Sequence, residues 1–317
     1  MKIFSLDEIR GAIDMDLVFQ AMRDGFVALS YGQVSLGAVG HLAFPSVRGD
    51  CHIKSAAMTS ADVFAVKIAT GFAANAERGL PTSNGMMVLF SASTGEPVAL
   101  LQDEGWLTDL RTAIAGAIAV KTIMPENAGI IGIVGTGVQA RWQAKLAVEH
   151  TGVKRIKIWG RRGEQAQRLA CELSGDGLDV SAVDRLEELV LASDAIITTT
   201  PTTTPLIKAD MFVRPPRIVA IGADAPGKQE IATDLTAAMD VLIADSIKQC
   251  LDHGELARPY AAGRIDATRV HELGSVLANG GSFPSNASVL IDLTGVGVQD
   301  LQIANAVWTR LADHRAN

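Results

Sequence analysis

The feature that most constrains this sequence is an apolar run that leads directly into a glycine-rich turn and then into a helical pattern. Residues 129–134 are short and continuously apolar, which is typical of a buried parallel strand. The next residues, 135–140, read Gly-Thr-Gly-Val-Gln-Ala, a GxGxxA motif. Gly135 permits the tight turn, Gly137 lets a phosphate approach the backbone, and Ala140 lets the helix pack closely on the strand.

The rest of this region alternates between strand and helix patterns. Helices are predicted at 139–150 and 164–173, and strands at 153–159, 194–200, 217–222, 240–245 and 288–294. Such alternation predicts a parallel sheet that is covered by helices on both faces. Together with the motif it predicts an α/β chain with a doubly wound Rossmann domain, whose helix N-terminus would hold the pyrophosphate of a dinucleotide.

The region before residue 101 has a different pattern. Ser5 and Glu8 have the spacing of a capping box, and apolar residues from Asp14 to about Gly32 recur at helical spacing. Further on, strands are predicted at 64–68, 86–90 and 97–101, so this part should be an antiparallel α+β domain. Thr108 is the predicted N-cap of a helix that runs through Arg111 to about residue 124. The final helix has one apolar face and is predicted to pack back on this domain.

Composition excludes several classes of function. The net charge is −7 and no basic run occurs, which argues against a nucleic-acid or membrane surface. The longest apolar stretch, 113–120, is far shorter than a membrane span, and the first residues are charged. The three cysteines are widely separated and show no metal-ligand spacing, so we expect reduced thiols, a cytoplasmic protein and no metal.

The second strand of the Rossmann pattern bears on the choice of cofactor. An NAD site usually places an acidic residue at the end of this strand, where it binds the ribose hydroxyls. Here the strand is followed by Arg161 and Arg162 instead. Two guanidinium groups can bind a 2′-phosphate, which favours NADP(H), with NAD(H) still possible. The alternative is that both arginines are simply solvated.

Three charged residues are candidates for chemistry. Lys67 is the one charged residue on an otherwise apolar strand, and its ordinary interpretation is a surface position. Arg111 is predicted in a first helical turn, where a cation is unfavourable unless an anion is near, and its ordinary interpretation is a salt bridge. Asp224 follows a strand at the sheet edge where such folds bind ligands, or it simply forms a turn.

These motifs together resemble the ornithine cyclodeaminase/μ-crystallin family over nearly the whole chain. The residues that carry the resemblance lie at 66–68 (Val-Lys-Ile), 79–85 (Gly-Leu-Pro-Thr-Ser-Asn-Gly), 107–112 (Leu-Thr-Asp-Leu-Arg-Thr), 135–141, 198–201, 222–228 and 292–295. The resemblance implies a substrate-binding and dimerisation domain from residues 1–120 and 295–317, a Rossmann domain from 121–294, and a homodimer formed through the sheets of the first domain.

The resemblance also implies roles for individual residues. Lys67, Arg111 and Asp224 would be catalytic: Arg111 would hold the substrate α-carboxylate, Lys67 would lie near the carboxylate and the reacting nitrogen, and Asp224 would act as acid and base. His41 and Thr294 would join Lys67 and Arg111 in substrate binding, with His41 standing where many members have an arginine. The implied cofactor-binding residues are Thr82, Thr112, Gly135, Thr136, Gly137, Val138, Gln139, Arg161, Arg162, Thr200, Gly222 and Lys228.

Three functions are compatible with this resemblance. The first is an oxidoreductase that transfers hydride between NAD(P)H and the α-carbon of a small imino or amino acid, with iminosuccinate reduction to aspartate as one version. That version needs two cations from the segment containing His41, Arg48, His52 and Lys54 to face the substrate. The second is a cyclodeaminase that recycles its cofactor. The third is a non-catalytic protein that binds a small ligand, against which the presence of Lys67, Arg111 and Asp224 together argues.

Overall fold

The computed structural model describes residues 1–59 and 61–313, which divide into two units. The first contains Met1–Arg111 and the segment from Val296 onward, and the second contains Thr112–Gly295. The strands are β1 Lys2–Phe4, β2 Val34–Leu36, β3 Gly40–Phe44, β4 Gly49–Met58, β5 Val63–Phe72, β6 Ser83–Ser91, β7 Pro97–Leu101, β8 Ile130–Val134, β9 Arg155–Trp159, β10 Asp179–Ala182, β11 Ala195–Thr198, β12 Arg217–Ala220, β13 Val241–Ala244, β14 Val270–Glu272 and β15 Val289–Asp292. The helices are α1 Leu6–Gly11, α2 Met15–Ser30, α3 Trp106–Ile123, α4 Val138–Thr151, α5 Gly163–Gly175, α6 Leu186–Ala192, α7 Thr233–Ala238, α8 Ile247–His253, α9 Ala257–Ala261, α10 Leu273–Ala278 and α11 Gly297–Asp313.

The first unit is built on a sheet in the order β1-β7-β6-β5-β4-β2, with β3 also paired to β4. All pairs are antiparallel except β1 with β7, which run parallel. Strands β4 and β5 have ten residues each, so they form the long centre of this sheet. Helix α11 packs across β4, β5 and β6, and it also contacts α2. The last helix of the chain therefore covers one face of the sheet.

Local signals explain most helix starts in this unit. The Ser5 side chain accepts from the Glu8 backbone N–H while Glu8 Oε2 accepts from the Ser5 N–H, so the predicted capping box is present. Helix α3 begins at Trp106, two residues before the predicted cap Thr108, because Asp103 Oδ2 accepts a hydrogen bond from the Leu107 N–H at 2.9 Å. Arg111 therefore lies in the second turn, and its placement in the first turn is corrected.

The second unit is a Rossmann fold, which confirms the predicted fold class. Its eight parallel strands follow the order β10-β9-β8-β11-β12-β15-β13-β14. The order reverses between β8 and β11, and this switch point is where open α/β sheets bind ligands, beyond the carboxyl ends of the strands. The central strands carry almost only buried apolar residues, as expected for a sheet that is covered on both faces.

Two negative findings hold for the described part of the chain. Cys51, Cys171 and Cys250 are all free thiols. No helix in residues 1–59 and 61–313 combines the length and the apolar character that crossing a bilayer demands.

Candidate active site

A buried ion cluster occupies the first unit. Lys67 extends from β5, Arg111 from α3 and Asp300 from the first turn of α11. Asp300 Oδ1 lies 2.9 Å from Lys67 Nζ and 3.0 Å from Arg111 Nε. The exposed fractions are 2% for Lys67, 7% for Arg111 and 1% for Asp300. Lys67 is therefore a core residue, which excludes its interpretation as a surface lysine.

The environment of this cluster shifts the protonation of its members. Burial, followed by the charge of Arg111, lowers the pKa of Lys67 from 10.5 to about 7, although Asp300 opposes this shift. Burial alone would raise the pKa of Asp300, but the nearby charges of Lys67 and Arg111 outweigh it and hold that pKa below its usual value. Lys67 can therefore gain or lose a proton near neutral pH while Asp300 stays ionised.

Two neighbours complete the cluster. Gln299 Oε1 accepts a hydrogen bond from Arg111 Nη1 at 3.1 Å and another from the Val296 N–H at 2.8 Å, which fixes the guanidinium against the start of α11. Lys54 on β4 lies directly opposite Lys67 in the sheet and is 7% exposed. With the buried carboxyl Asp103, which interacts electrostatically with Lys67 and Asp300, the buried charged residues comprise three cationic groups and two carboxyl groups.

Asp300 is the main residue that sequence reasoning missed. One signal could have found it: buried cations require a partner of opposite charge. Asp300 is the acidic residue in the first turn of the apolar helix α11. The requirement for an opposite charge predicts Asp300 only if Lys67 and Arg111 are already known to be buried.

His41 lies on the same sheet face as Lys54 and Lys67. It pairs with His52 across β3 and β4, and His52 is two residues from Lys54 on β4. The two imidazole rings have centroids 4.7 Å apart. Arg48, by contrast, lies outside the strands and pairs with Glu77. The structure thus brings His41 and His52 together, but not Arg48.

The glycine-rich turn of the second unit connects β8 to α4 as predicted. Gly135 has a φ of +136°, and a Cβ there would lie 2.2 Å from Thr199 Oγ1, so no other residue fits without movement. Gly137 is the N-cap of α4, no atom lies within 4 Å of the place a Cβ would take, and Val138 is exposed. The first turn of α4 therefore presents free space beside its backbone amides, which fits a dinucleotide pyrophosphate.

Glu230 organises the neighbouring loops, and sequence reasoning missed it. This fully buried carboxylate accepts hydrogen bonds from Thr198 Oγ1 (2.7 Å), from the Thr200 N–H (2.6 Å) and hydroxyl (2.7 Å), and from the Gly222 N–H (2.8 Å). Burial raises the pKa of Glu230 to about 6, although these donors oppose it. Glu230 therefore ties the loop after β11 to the loop after β12, and Thr200 and Gly222 are both among its partners.

The remaining predicted residues of the second unit take varied positions. Asp224 follows β12 at the surface, and its Oδ1 lies 2.5 Å from Lys228 Nζ. Arg161 and Arg162 are exposed immediately after β9. Thr294 is buried, and its hydroxyl donates to Asp245 Oδ1 at 3.0 Å.

Four further predicted cofactor residues complete the set. The Thr112 carbonyl accepts from Gln143 Nε2 at 3.1 Å, and Gln139 Oε1 accepts from the same amide at 3.4 Å. The Thr136 hydroxyl reaches Gln165 Oε1 at 3.4 Å. In the first unit, Thr82 is exposed, and its carbonyl accepts from the Phe72 N–H at 2.7 Å. Their roles in cofactor binding stay predictions.

Comparison with known proteins decides the family. Residues 2–315 match the ornithine cyclodeaminase/mu-crystallin family. This chain belongs to that family. The resemblance inferred from the motifs is thereby confirmed, and the family match extends over both units.

Individual family members are similar along the full length. An uncharacterised cyclodeaminase of Sinorhizobium fredii is 36% identical, covering 100% of this chain and 97% of the relative. The iminosuccinate reductase of Paracoccus denitrificans is 31% identical over 99% of this chain and 98% of the relative. Its solved structure in complex with NAD⁺ has a TM-score of 0.89, at 30% identity, and covers 100% of this chain and 97% of that one. The structure of an archaeal alanine dehydrogenase dimer with bound NAD has a TM-score of 0.90 at 27% identity. The match covers 99% of this chain and 97% of the chain in that structure.

Proposed function

We propose that this family member is an NAD(P)(H)-dependent oxidoreductase that transfers hydride between the nicotinamide and the α-carbon of a small imino or amino acid. The observation that carries the proposal is the buried cluster of Lys67, Arg111 and Asp300, in which cationic groups outnumber carboxylates. Burying surplus positive charge is costly unless an anion is bound. A substrate α-carboxylate is an anion of this kind. The relatives named as an iminosuccinate reductase and an alanine dehydrogenase support this substrate class.

The chemistry follows from the state of each side chain. Arg111 is fixed by Asp300 and Gln299, so its remaining N–H groups are pre-oriented to bind a carboxylate. The bound cofactor supplies or accepts the hydride at the α-carbon. Reduction of an imine also needs one proton at nitrogen, and Lys67, with its pKa near 7, can donate it. Asp224 is proposed as a second acid–base group, with Lys228 as its ion-pair partner.

The preferred cofactor is proposed to be NADP(H). Arg161 and Arg162 stand after β9, where an NAD-binding fold commonly carries an acidic residue. Their guanidinium groups suit a 2′-phosphate. Fluorescence titration with NADPH and NADH tests this, with Arg161→Ala and Arg162→Ala as variants. Both variants should weaken NADPH binding and leave NADH binding unchanged. Tighter binding of NADH than of NADPH by the unaltered protein refutes the preference.

The reaction itself is tested by a substrate screen. Cyclic imines, and 2-oxo acids with ammonia or methylamine, are supplied with each reduced cofactor, and ornithine is tested in the same series. We expect stoichiometric loss of nicotinamide absorbance with at least one imine. If no imine oxidises the cofactor while a diamino acid releases ammonia with absorbance unchanged, the protein is a cyclodeaminase. That second candidate is favoured by the 36% identical relative named as a cyclodeaminase.

The assembly is proposed to be a homodimer formed through the first unit's sheet. The sheet face opposite Lys67 carries large apolar residues that are exposed in the single chain. These are Ile3 (55%), Leu42 (55%), Phe44 (40%), Ile53 (37%) and Met86 (38%). Exposed large apolar residues on one sheet face are typical of an interface, and a structure of the alanine dehydrogenase relative is a dimer. Light scattering after size-exclusion chromatography should give twice the chain mass, and Ile53→Lys should give the single mass.

A further inference from the structure

Strand pairing in the first unit assembles a group of three metal-ligating side chains. His41 on β3 lies directly opposite His52 on β4, and Asp50 precedes His52 by two residues on the same strand. Cross-strand partners and residues two apart point to the same face of a sheet, so all three side chains share one face. One ligand atom from each residue lies within 4.8 Å of the others. In residues 1–59 and 61–313 this is the one such group of His, Cys, Asp and Glu.

The neighbouring strand leaves space around this group. Gly71 is the β5 residue opposite Asp50, and Ala69 is the residue opposite His52. A Cβ at residue 71 would lie 2.9 Å from Asp50 Oδ1, so glycine allows the carboxylate to occupy this position. Solvent reaches the group, because His41 is exposed and both Asp50 and His52 are half-buried. An ion can therefore enter and keep a water in a further coordination position.

We propose that His41, Asp50 and His52 form a binding site for a divalent transition-metal ion, with Zn²⁺ as the preferred occupant. Two imidazoles and one carboxylate are a common donor set for Zn²⁺, whereas Mg²⁺ and Ca²⁺ prefer oxygen ligands alone. Zinc–ligand distances of about 2.0–2.2 Å place tetrahedral ligands roughly 3.4 Å apart. Side-chain rotations that move each ligand atom by about 1 Å therefore suffice to bring the three ligand atoms to coordination distance of one ion.

The proposed metal site lies on the same sheet face as Lys54 and Lys67 of the buried ion cluster. Along β4, Lys54 follows His52 by two residues and points to the same face, roughly 7 Å further on. A bound ion adds positive charge to the face that carries Lys54 and Lys67, and it leaves a coordination position open to water or to an oxygen ligand. The metal site is inferred from the pairing of β3 with β4 and not from the proposed redox function, although the family resemblance also implies that His41 binds the substrate.

Metal binding is tested directly on the full-length untagged protein. Equilibrium dialysis against Zn²⁺, followed by elemental analysis, should give one zinc per chain. Titration with Co²⁺ should produce the visible bands of a tetrahedral site. His41→Ala, His52→Ala and Asp50→Asn should each weaken zinc affinity at least about tenfold. His271→Ala is the matched control, because His271 is an exposed strand histidine of β14, and it should bind zinc like the unaltered protein.

Two results would overturn this site. One is the absence of stoichiometric zinc or cobalt binding by the unaltered protein. The other is unchanged affinity in either His41→Ala or His52→Ala, which would place any bound metal elsewhere. Circular dichroism of each variant separates loss of a ligand from loss of the fold. Neither result bears on the substrate screen, so the site and the proposed function can fail separately.

Discussion

Replacing Asp300 by asparagine removes one negative charge from the buried cluster and preserves the shape of the side chain. Asp300 Oδ1 is 2.9 Å from Lys67 Nζ. At an effective dielectric constant of about 20, two unit charges at this distance attract by about 6 kcal/mol. That energy corresponds to roughly four pKa units as an upper limit. The asparagine carbonyl still accepts a hydrogen bond, so we expect the pKa of Lys67 to fall from about 7 by roughly one to three units.

The pH dependence of kcat/KM measures this shift, because it reports the ionisations of the free enzyme. Activity in imine reduction should decrease as pH rises through the pKa of Lys67, and in Asp300→Asn this decrease should occur at lower pH. Carbon-13 NMR of labelled lysine Cε atoms gives the same pKa without substrate, with the Lys67 signal assigned through Lys67→Met. The matched control is Asp14→Asn, since Asp14 forms an ion pair with Arg310 in the same unit at 2.7 Å.

The Asp300→Asn substitution should also reduce the stability of the fold, and this loss must be measured beside the Lys67 titration. Leaving two buried cations without their carboxylate should lower the free energy of unfolding by about 3–5 kcal/mol, so each titration needs circular dichroism at the same pH. If the pKa of Lys67 in folded Asp300→Asn equals its pKa in Asp14→Asn, the conclusion that the charge of Asp300 raises the pKa of Lys67 is wrong.

Four further substitutions test the other parts of the site. Lys67→Ala and Arg111→Ala should each reduce turnover at least about a hundredfold with the fold intact, measured by steady-state kinetics beside circular dichroism. Gly135→Ala should abolish dinucleotide binding in a fluorescence titration, because its Cβ would lie 2.2 Å from Thr199 Oγ1. The pKa of Glu230 is raised in the folded state from 4.5 to about 6. The protonated carboxyl therefore stabilises the folded protein fully below pH 4.5, and this contribution is lost as pH rises through 6. Relative to Glu230→Gln, the unaltered protein should therefore lose about 2 kcal/mol of unfolding free energy over this interval in urea titrations, and parallel curves would contradict it.

The parts of the fold that depend on local sequence were predictable. The turn after β8 needs a glycine at its first position, and that requirement is visible in the sequence as Gly135. The predicted start of α3 was wrong because two capping signals compete. Thr108 is a good N-cap by residue type, but Asp103 accepts a hydrogen bond from the N–H of Leu107, the residue directly before Thr108, and the helix begins at Trp106. Capping residues alone do not decide between such alternatives.

The parts of the site that depend on long-range contacts were not predictable in the same way. Asp300 is separated from Lys67 by 233 residues, and Glu230 is separated from Thr198 by 32. Neither acid belongs to a motif whose spacing reveals its partner. Likewise, His41 and His52 show no metal-ligand spacing in sequence, and only the pairing of β3 with β4 brings them together. Motifs identified the Rossmann fold and the family, while the buried acids Asp300 and Glu230 required tertiary structure.

The position of Asp300 in the chain also bears on how the protein is made. Lys67 and Arg111 leave the ribosome early, and the whole of Thr112–Gly295 is synthesised before Asp300 follows. Domains generally fold as units during synthesis, N-terminal first. Here the nascent first unit holds the core cations Lys54, Lys67 and Arg111 without Asp300, the carboxylate that pairs with Lys67 and Arg111, until its last helix emerges. The Rossmann unit should therefore reach its native state on the ribosome before the unit that precedes it in sequence.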